Sequence, residues 1–438
     1  MWTPNRRQLL VAGGAAASAA LLRPAGAQVK TLRPFRVGVV LPAKTGLSTV
    51  RTSITDYAGE AGRMGTILAE GKIGDPASAA GWHLEVLQAN SPSADAAKRA
   101  GERLAATGNI CALVGGVGDG QAEVLSAIAE KARIPFFNIG SPNDALRNAA
   151  CGRYTFHIEA SAAMYLDMLV TWSAAKGQKR WFVVHEDNDA GKRLLQRATK
   201  SIATFGAGGT VVASAAVKRE APAYINELNA AGRSGADVFL MLLNGSDQIA
   251  FLGNMDDMGL PAAVVALPDA VTQTRDYIVS ARYLAPGTNP RYRPTAWDCT
   301  MTANGAAEFN NSFLLRWSFP ADPTGWAAFS AIKMVFQAAQ ATNSLDGPTV
   351  AKYLEAPGTT FDLGKGPGVS FRPWDHQLRQ PLYMIKVDQD VEWQREEIPT
   401  WIALASVGAE FPAANQTGTA IERLDRFGDG ATGSACKF

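Results

Sequence analysis

FRVGVVL, Phe35 to Leu41, is a short and almost continuously apolar run with three valines, and it stops at Pro42, with Gly46 and Ser48 close behind. A run of that length bounded by turn residues reads as a strand buried on both faces, the kind found in parallel sheets. The segments that follow repeat the idea. WHLEVLQAN (Trp82 to Asn90) reads as a strand, Asp95 to Thr107 as an amphipathic helix, and ICALVGG (Ile110 to Gly116) as the next buried strand. Gln121 to Arg133 has helical periodicity, and IPFFNI (Ile134 to Ile139) enters a loop rich in Gly, Ser, Pro and Asn. Strand and helix in alternation predict an α/β lobe on a mainly parallel sheet.

The same rhythm restarts near Tyr154. Met164 to Ala175 reads as helix, RWFVVHED (Arg180 to Asp187) as strand, and Gly191 to Phe205 as helix. GTVVASAAV, ADVFLMLLN and AAVVALP read as further strands, separated by helices at Ala223 to Ala231 and Asp247 to Met258. Ser280 to Thr300, rich in Pro, Arg and aromatics, reads as a crossing connection, and Gly325 to Thr342 as a long helix. VSFRP and PLYMIKV are expected to pair with each other across Trp374 to Gln380. The predicted organisation is a first lobe over 34–150 with a return at about 300–345, and a second lobe over 151–290 with a return at about 350–400. Residues 408–438 read as an irregular tail. The fold class is α/β, with two Rossmann-like lobes of mainly parallel sheet joined by a hinge.

The 438-residue chain begins with Arg6-Arg7, an Ala/Gly/Leu stretch to about Leu22, and Ala25-Gly26-Ala27. That is the layout of a twin-arginine export signal over 1–27, cleaved after Ala27. A transmembrane anchor is the other reading, disfavoured by the shortness of the run and by Arg23-Pro24 at its end. No Cys follows the apolar run, so there is nothing to lipidate, and the mature chain is expected in the periplasm without a membrane anchor. A formal charge of +2 with 19% charged residues leaves no basic footprint for nucleic acid. The four cysteines, Cys111, Cys151, Cys299 and Cys436, form no Cys-x-x-Cys pair. Cys111 lies in an apolar strand and reads as a buried thiol, whereas a bridge pinning the tail at Cys436 is compatible with export.

Catalytic equipment is absent from the sequence. There is no G-x-S-x-G elbow, no G-x-x-x-x-G-K-[ST] loop and no H-E-x-x-H pair. His83, His157, His185 and His376 are dispersed and read as surface or loop histidines, with no metal or catalytic role expected. GGVGDG (Gly115 to Gly120) follows a strand and precedes a helix, but Gln121 replaces the third glycine of a dinucleotide fingerprint. It reads either as a ligand-facing loop or as a plain turn. Asp187, Asp189 and Gly191 do not make a calcium loop, because Ala198 stands where its closing carboxylate belongs. No cofactor is implied.

In order, RVGVVLP with Thr45-Gly46, the unit from Trp82 to Gly116, AEKARIPFFN, YTFHIEAS and ADVFLMLLNGSDQIAFLGNMDDMGL resemble the type I periplasmic binding proteins of the leucine/isoleucine/valine-binding group. FNIGSPNDALRNAACGRYTFH and VSFRPWDHQLRQPLY resemble those encoded beside quinoprotein (PQQ-dependent) alcohol oxidation systems. The resemblance implies two α/β lobes that close over a small ligand and deliver it to ABC permease subunits.

It also implies where the ligand sits. In the amino-acid binders, loops after the ICALVGG-like and IPFFN-like strands supply hydroxyls and amides for the substrate carboxylate. Here they read Gly118, Asp119, Gly120 and Gly140, Ser141, Pro142, Asn143. Asp119 in place of a serine would repel a carboxylate, which argues against an ordinary α-amino acid. The family's second-lobe tyrosine corresponds to Ala190, whereas its ammonium-clamping carboxylate corresponds to Asp269, a residue that reads equally as a helix N-cap. The expected ligand set is Gly118, Asp119, Gly120, Gly140, Ser141, Asn143 and Asp269, holding an amino-acid-like or other small polar metabolite. The expected role is a transport receptor without chemistry; a ligand sensor of the same fold acting on a signalling partner is the alternative.

Overall fold

In the computed structural model, residues 31–43, 55–260, 263–288 and 290–438 are described. The proposed signal, residues 1–27, and residues 44–54 lie outside them.

The first lobe stands on five parallel strands: β1 (Arg33–Leu41), β2 (Trp82–Asn90), β3 (Ala112–Gly115), β4 (Phe136–Asn138) and β5 (Thr155–His157), in the order β2-β1-β3-β4-β5. Val37 is paired on one side with Val86 and on the other with Ala112, so β1 is central. Its continuous apolar run follows from that position, since Phe35, Val37, Val39, Val40 and Leu41 are all buried. The helices α1 (Thr55–Ala79), α2 (Ala94–Thr107) and α3 (Gln121–Ala132) make the crossovers. Strand order reverses at β1, and in open α/β sheets ligands bind at the carboxyl ends of the strands beside such a reversal.

The second lobe carries α4 (Ala162–Ala175), β6 (Arg180–Glu186), α5 (Asp189–Phe205), β7 (Thr210–Val217), α6 (Ile225–Arg233), β8 (Val238–Leu242), α7 (Gly245–Asp257), β9 (Ala263–Ala266) and α8 (Arg275–Leu284). Its parallel sheet runs β7-β6-β8-β9. The alternation of side chains across the pleat sets two cores: Trp181, Val183 and Leu240 enter one, and Phe182, Val184 and Phe239 the other. Helices start where an Asn ends the preceding strand-to-helix turn. Asn188 accepts from Gly191 N–H at the start of α5, and Asn244 from Asp247 N–H at the start of α7.

The remaining elements are β10 (Tyr292–Thr295), α9 (Ala306–Trp317), α10 (Pro323–Thr342), α11 (Gly347–Glu355), β11 (Ser370–Phe371), β12 (Leu378–Arg379), β13 (Leu382–Val387), α12 (Ile398–Ala403), β14 (Ala405–Phe411) and α13 (Ala420–Leu424). Helix α10 lies against α1 so closely that a Cβ on Gly65 would stand 2.0 Å from the Gly325 carbonyl oxygen.

Three expectations are corrected here. VSFRP and PLYMIKV do not pair: β11 pairs with β12, while β13 pairs with β10 and β14. The tail is not irregular throughout, since β14 includes Gly408 and α13 follows. The second return to lobe 2 starts later than position 350, because Val350, Leu354, Phe361, Val369, Phe371 and Leu378 belong to the first lobe's core and Leu382 is the first to enter the second's. The apolar side chains of α11 find their cover on α10.

The same cores locate the three crossings between lobes. Ile158 lies in one core and Ala160 in the other; so do Trp297 and Ala296, then Leu378 and Leu382.

Candidate functional site

The carboxyl ends of the two parallel sheets face each other. From the first lobe, the loop after β3 projects Gly118, Asp119 and Gly120; the two glycines have φ of +102° and +68°, conformations that are costly for residues with a Cβ. They bring Asp119 out at the mouth, 76% exposed. From the second lobe, Arg219, just past β7, reaches across and ion-pairs with Asp119. Its Nε donates to Glu186 Oε2 at 2.8 Å, at the end of β6. Asn188 Nδ2 (2.8 Å) and Asn244 Nδ2 (3.3 Å) also donate to Glu186. Burial works to raise the Glu186 carboxyl's pKa, but the hydrogen bonds from Arg219 and Asn188 outweigh it and hold the group below its ordinary value. Asn244 Nδ2 continues the network to Asp247 (2.7 Å), which accepts in addition from the Tyr224 hydroxyl at 2.9 Å.

The second first-lobe loop is internally committed. Asn138 organises it: its Oδ1 accepts from Ser141 N–H (2.9 Å) and its Nδ2 donates to the Ser141 carbonyl (2.8 Å). Asn143 caps the short 3-10 helix Asp144–Arg147 by accepting from Ala145 N–H at 3.0 Å, and its Nδ2 donates to Glu123 Oε1 at 2.7 Å. Buried Arg147 donates to the carbonyls of Ser141 (3.2 Å) and Asn143 (2.9 Å). Gly140 is buried. The Ser141 hydroxyl accepts from Asn143 N–H at 3.4 Å and retains a proton to donate. Asn143 is thus a capping residue, and this loop offers a shaped wall with one hydroxyl.

Asp269 leaves β9 and caps a turn. Its Oδ1 accepts from the N–H groups of Val271 and Thr272, both at 2.8 Å, and its own N–H donates to Thr272 Oγ1 at 2.9 Å. Helix α8 has a different N-cap, Thr274. Burial raises the Asp269 carboxyl pKa, the amides of Thr272 and Val271 oppose this, and Asp119 adds to the rise. Arg219 pairs with two carboxylates, Asp119 and Glu186, while Asp247 and Asp269 stand at the ends of the second lobe's strands with backbone and side-chain partners of their own. Carboxylates outnumber cations here, a balance suited to a ligand that donates hydrogen bonds or carries positive charge.

Sequence reasoning missed Arg219 and Glu186. Glu186 could be found at the end of a strand, the position where open α/β sheets place ligand contacts. Arg219 gives no such signal, because KREAPAY has the composition of a solvated loop.

It also missed a polar cluster at the crossings. Glu159 accepts from the Tyr165 hydroxyl (2.7 Å) and from Gln273 Nε2 (3.2 Å), and Gln273 Oε1 accepts from Ala296 N–H (2.8 Å). Burial pushes the Glu159 carboxyl up to about 7 against those hydrogen bonds. Lys365, only 4% exposed, donates to Gln380 Oε1 and to the Pro381 carbonyl, with Trp326 4.4 Å from its ammonium. Burial holds the Lys365 pKa well below its ordinary value.

The histidine expectation needs correction. His157, His185 and His376 are buried rather than on the surface. His157 is held by Asn138 Nδ2 and the Leu146 carbonyl, and His376 is stacked between Phe156 and Phe438 with centroids 4.4 and 4.0 Å away. Among the described residues no cluster of His, Cys, Asp and Glu could hold a metal ion. Cys151 and Cys436 form a disulfide, and Cys111 is buried with its thiol pushed up to about 12 by burial.

The model of the family described as periplasmic binding protein matches residues 42–392. No curated protein sequence gives a significant match. Among solved structures, a periplasmic binding protein from Burkholderia mallei is 19% identical with a TM-score of 0.70, covering 87% of this chain and 95% of that one. The branched-chain amino acid transporter substrate-binding protein of Streptococcus pneumoniae, solved with isoleucine, is 16% identical with a TM-score of 0.66, over 86% and 99%. A solute-binding protein from R. palustris, solved with 4-hydroxybenzoate, is 15% identical with a TM-score of 0.68, over 83% and 95%. At these identities the likeness establishes the fold.

Proposed function

The chain belongs to the periplasmic binding protein family, and on that premise we propose that it captures one small polar organic molecule between its lobes and delivers it to the permease subunits of an ABC importer. The observation that carries this reading is the meeting of two parallel-sheet carboxyl ends, with Asp119 of one lobe reached by Arg219 of the other. A cleft built this way binds by closing, and we take capture to proceed without turnover. The compartment is the periplasm, reached through a signal removed after Ala27.

Gly118 and Gly120 present Asp119, Gly140 and Asn143 hold the wall that carries the Ser141 hydroxyl, and Asp269 lies opposite. Asp119 and Asp269 favour the donor-rich end of a ligand; Arg219, if it exchanges Asp119 for a ligand carboxylate, favours an acid. The related folds hold isoleucine in one case and 4-hydroxybenzoate in another.

The test is a thermal-shift screen of the mature protein with branched-chain amino acids, amides, polyamines, hydroxybenzoates and short alcohol or acid metabolites. Calorimetry and product analysis of every hit follow. One class stabilising the protein, bound one to one and recovered unchanged, is the expected result. Recovery of an altered compound would sink the reading.

A further inference from the structure

The last fourteen residues of the chain touch both lobes. Phe427 is buried in the second lobe's core with its ring edge-on to Phe205 of α5 at 5.6 Å. Gly428 N–H donates to Asp167 Oδ2 of α4 at 2.8 Å, and Lys200 of α5 donates to Asp429 Oδ1 at 2.9 Å. Asp167 is itself fixed by Arg197 (2.8 Å) and Ser201 (2.7 Å), so this anchor is set into the seam between α4 and α5.

The first lobe holds the backbone of the same stretch, since Arg372 Nη2 donates to the Phe427 carbonyl (2.8 Å) and Trp374 Nε1 to the Asp429 carbonyl (3.3 Å), and a few residues later it holds the segment through further contacts. Ser434 Oγ donates to the Trp374 carbonyl at 2.7 Å, and Ala435 N–H donates to Asn148 Oδ1 at 2.9 Å. Cys436 is bonded to Cys151, and Phe438 stacks on His376, which stacks in turn on Phe156 of β5. Both Trp374 and His376 sit in the hairpin joining β11 to β12, whose Phe371 and Leu378 belong to the first lobe's core. Asp425 pins the near end of the segment by accepting from Arg372 Nε (2.9 Å) and Arg379 Nε (2.8 Å) of that hairpin.

One short segment thus bridges the lobes: Asp425 and residues 434–438 hold lobe 1, and the Phe427 ring, Gly428 N–H and Asp429 carboxylate hold lobe 2. A rotation that separates the lobes must stretch it or tear out its middle. The lobe 1 ends are held by a covalent bond and by nearly buried arginines, whereas the Asp429–Lys200 contact is solvent-exposed. Within the lobe 2 anchor, the Asp429–Lys200 pair is therefore the weakest contact, and Phe427 the strongest.

We propose that Asp425 to Phe438 is a strap that limits how far the two lobes open, fixed to lobe 1 by the Cys151–Cys436 bridge and gripping lobe 2 through Phe427, Gly428 and Asp429. Opening beyond the strap's reach requires the lobe 2 anchor to come out.

Small-angle X-ray scattering and amide exchange on the ligand-free, full mature protein test this without knowledge of the ligand. Two variants weaken different ends: Cys436→Ser cuts the covalent anchor, and Lys200→Gln, on an exposed side chain, weakens the other without disturbing a core. A third, Phe427→Ala, removes the buried grip. The expected result is a larger radius of gyration in Phe427→Ala and Cys436→Ser. Amide exchange in the crossings at 158–161, 295–298 and 378–382 should be on the order of tenfold faster. Lys200→Gln should show the same changes in smaller measure, with an unchanged melting temperature. If the variants melt earlier yet keep the parent's radius and crossing exchange, the segment only adds stability and the proposal is overturned. An unchanged radius in all three overturns it equally.

Discussion

Arg219 of the second lobe is ion-paired with Asp119 of the first, a partner one hundred positions away that reaches it only when the two sheet ends face each other. Arg219 Nε is also bonded to Glu186 of its own lobe, an anchor that does not involve Asp119. Asp119→Asn should therefore leave the fold intact while weakening the closed arrangement. An exposed pair of this kind is worth roughly 0–1 kcal/mol, and salt screens it. Scattering from the ligand-free parent should show a shift toward the open form as salt rises from about 0.02 to about 0.5 M, over which the Debye length falls severalfold. The variant should show little shift. A parent insensitive to salt would remove the pair from any account of closure.

Asp269 has two jobs that substitutions can separate. Asp269→Asn keeps an oxygen to accept from Val271 and Thr272 but loses the charge, whereas Asp269→Ala loses both. Urea unfolding should find the Asn variant close to the parent and the Ala variant about 1 kcal/mol less stable. If the ligand presents a cation or strong donors to this wall, both variants should bind it about tenfold or more weakly by calorimetry, since a charge-assisted bond is worth about 1.5–3 kcal/mol. Binding unchanged in the Asn variant would show that Asp269 only shapes the turn.

Glu159 makes stability depend on pH. Its carboxyl is raised from an ordinary 4.5 to about 7, chiefly by burial, so the folded state binds the proton more tightly than the unfolded chain. The favourable contribution is then complete below about 4.5 and is lost as pH rises through about 7. Glu159→Gln, which cannot ionise, should gain on the parent as pH goes from about 5 to about 8, by on the order of 1–3 kcal/mol. Lys365, Arg147 and the Tyr165 and Gln273 hydrogen bonds oppose the rise, and about 7 is what remains after them. Melting temperatures of the two proteins across that range decide the point; parallel curves would exclude Glu159 as the source.

Gly65→Ala tests the contact between α1 and α10. The added methyl would meet a backbone carbonyl rather than the end of a flexible side chain, so the helices must move apart. A loss of about 1–3 kcal/mol in urea unfolding is expected, the usual cost of overpacking.

The sheets were legible because buried parallel strands must be continuously apolar, and FRVGVVL, ICALVGG and ADVFLMLLN could hardly be anything else. The cleft was legible in part, since Asp119 and Asp269 stand directly after such strands. What escaped depends on distance in sequence. Arg219 owes its importance to Asp119 and Glu186, and Glu159 to Tyr165, Gln273 and three crossings drawn from 158 to 382. Neither residue type nor local pattern marks them. The pairing of VSFRP with PLYMIKV failed for a related reason: both strands were real, but β13 finds longer partners in β10 and β14 than a hairpin neighbour offers.

The bond between Cys151 and Cys436 encloses all of lobe 2, the three crossings and the returning helices of lobe 1 in one covalent ring. That ring cannot close until Cys436, third from the last residue of the sequence, has been made. Once closed, a single protease cut anywhere between positions 151 and 436 releases no fragment, and the nick becomes visible on a gel only after reduction.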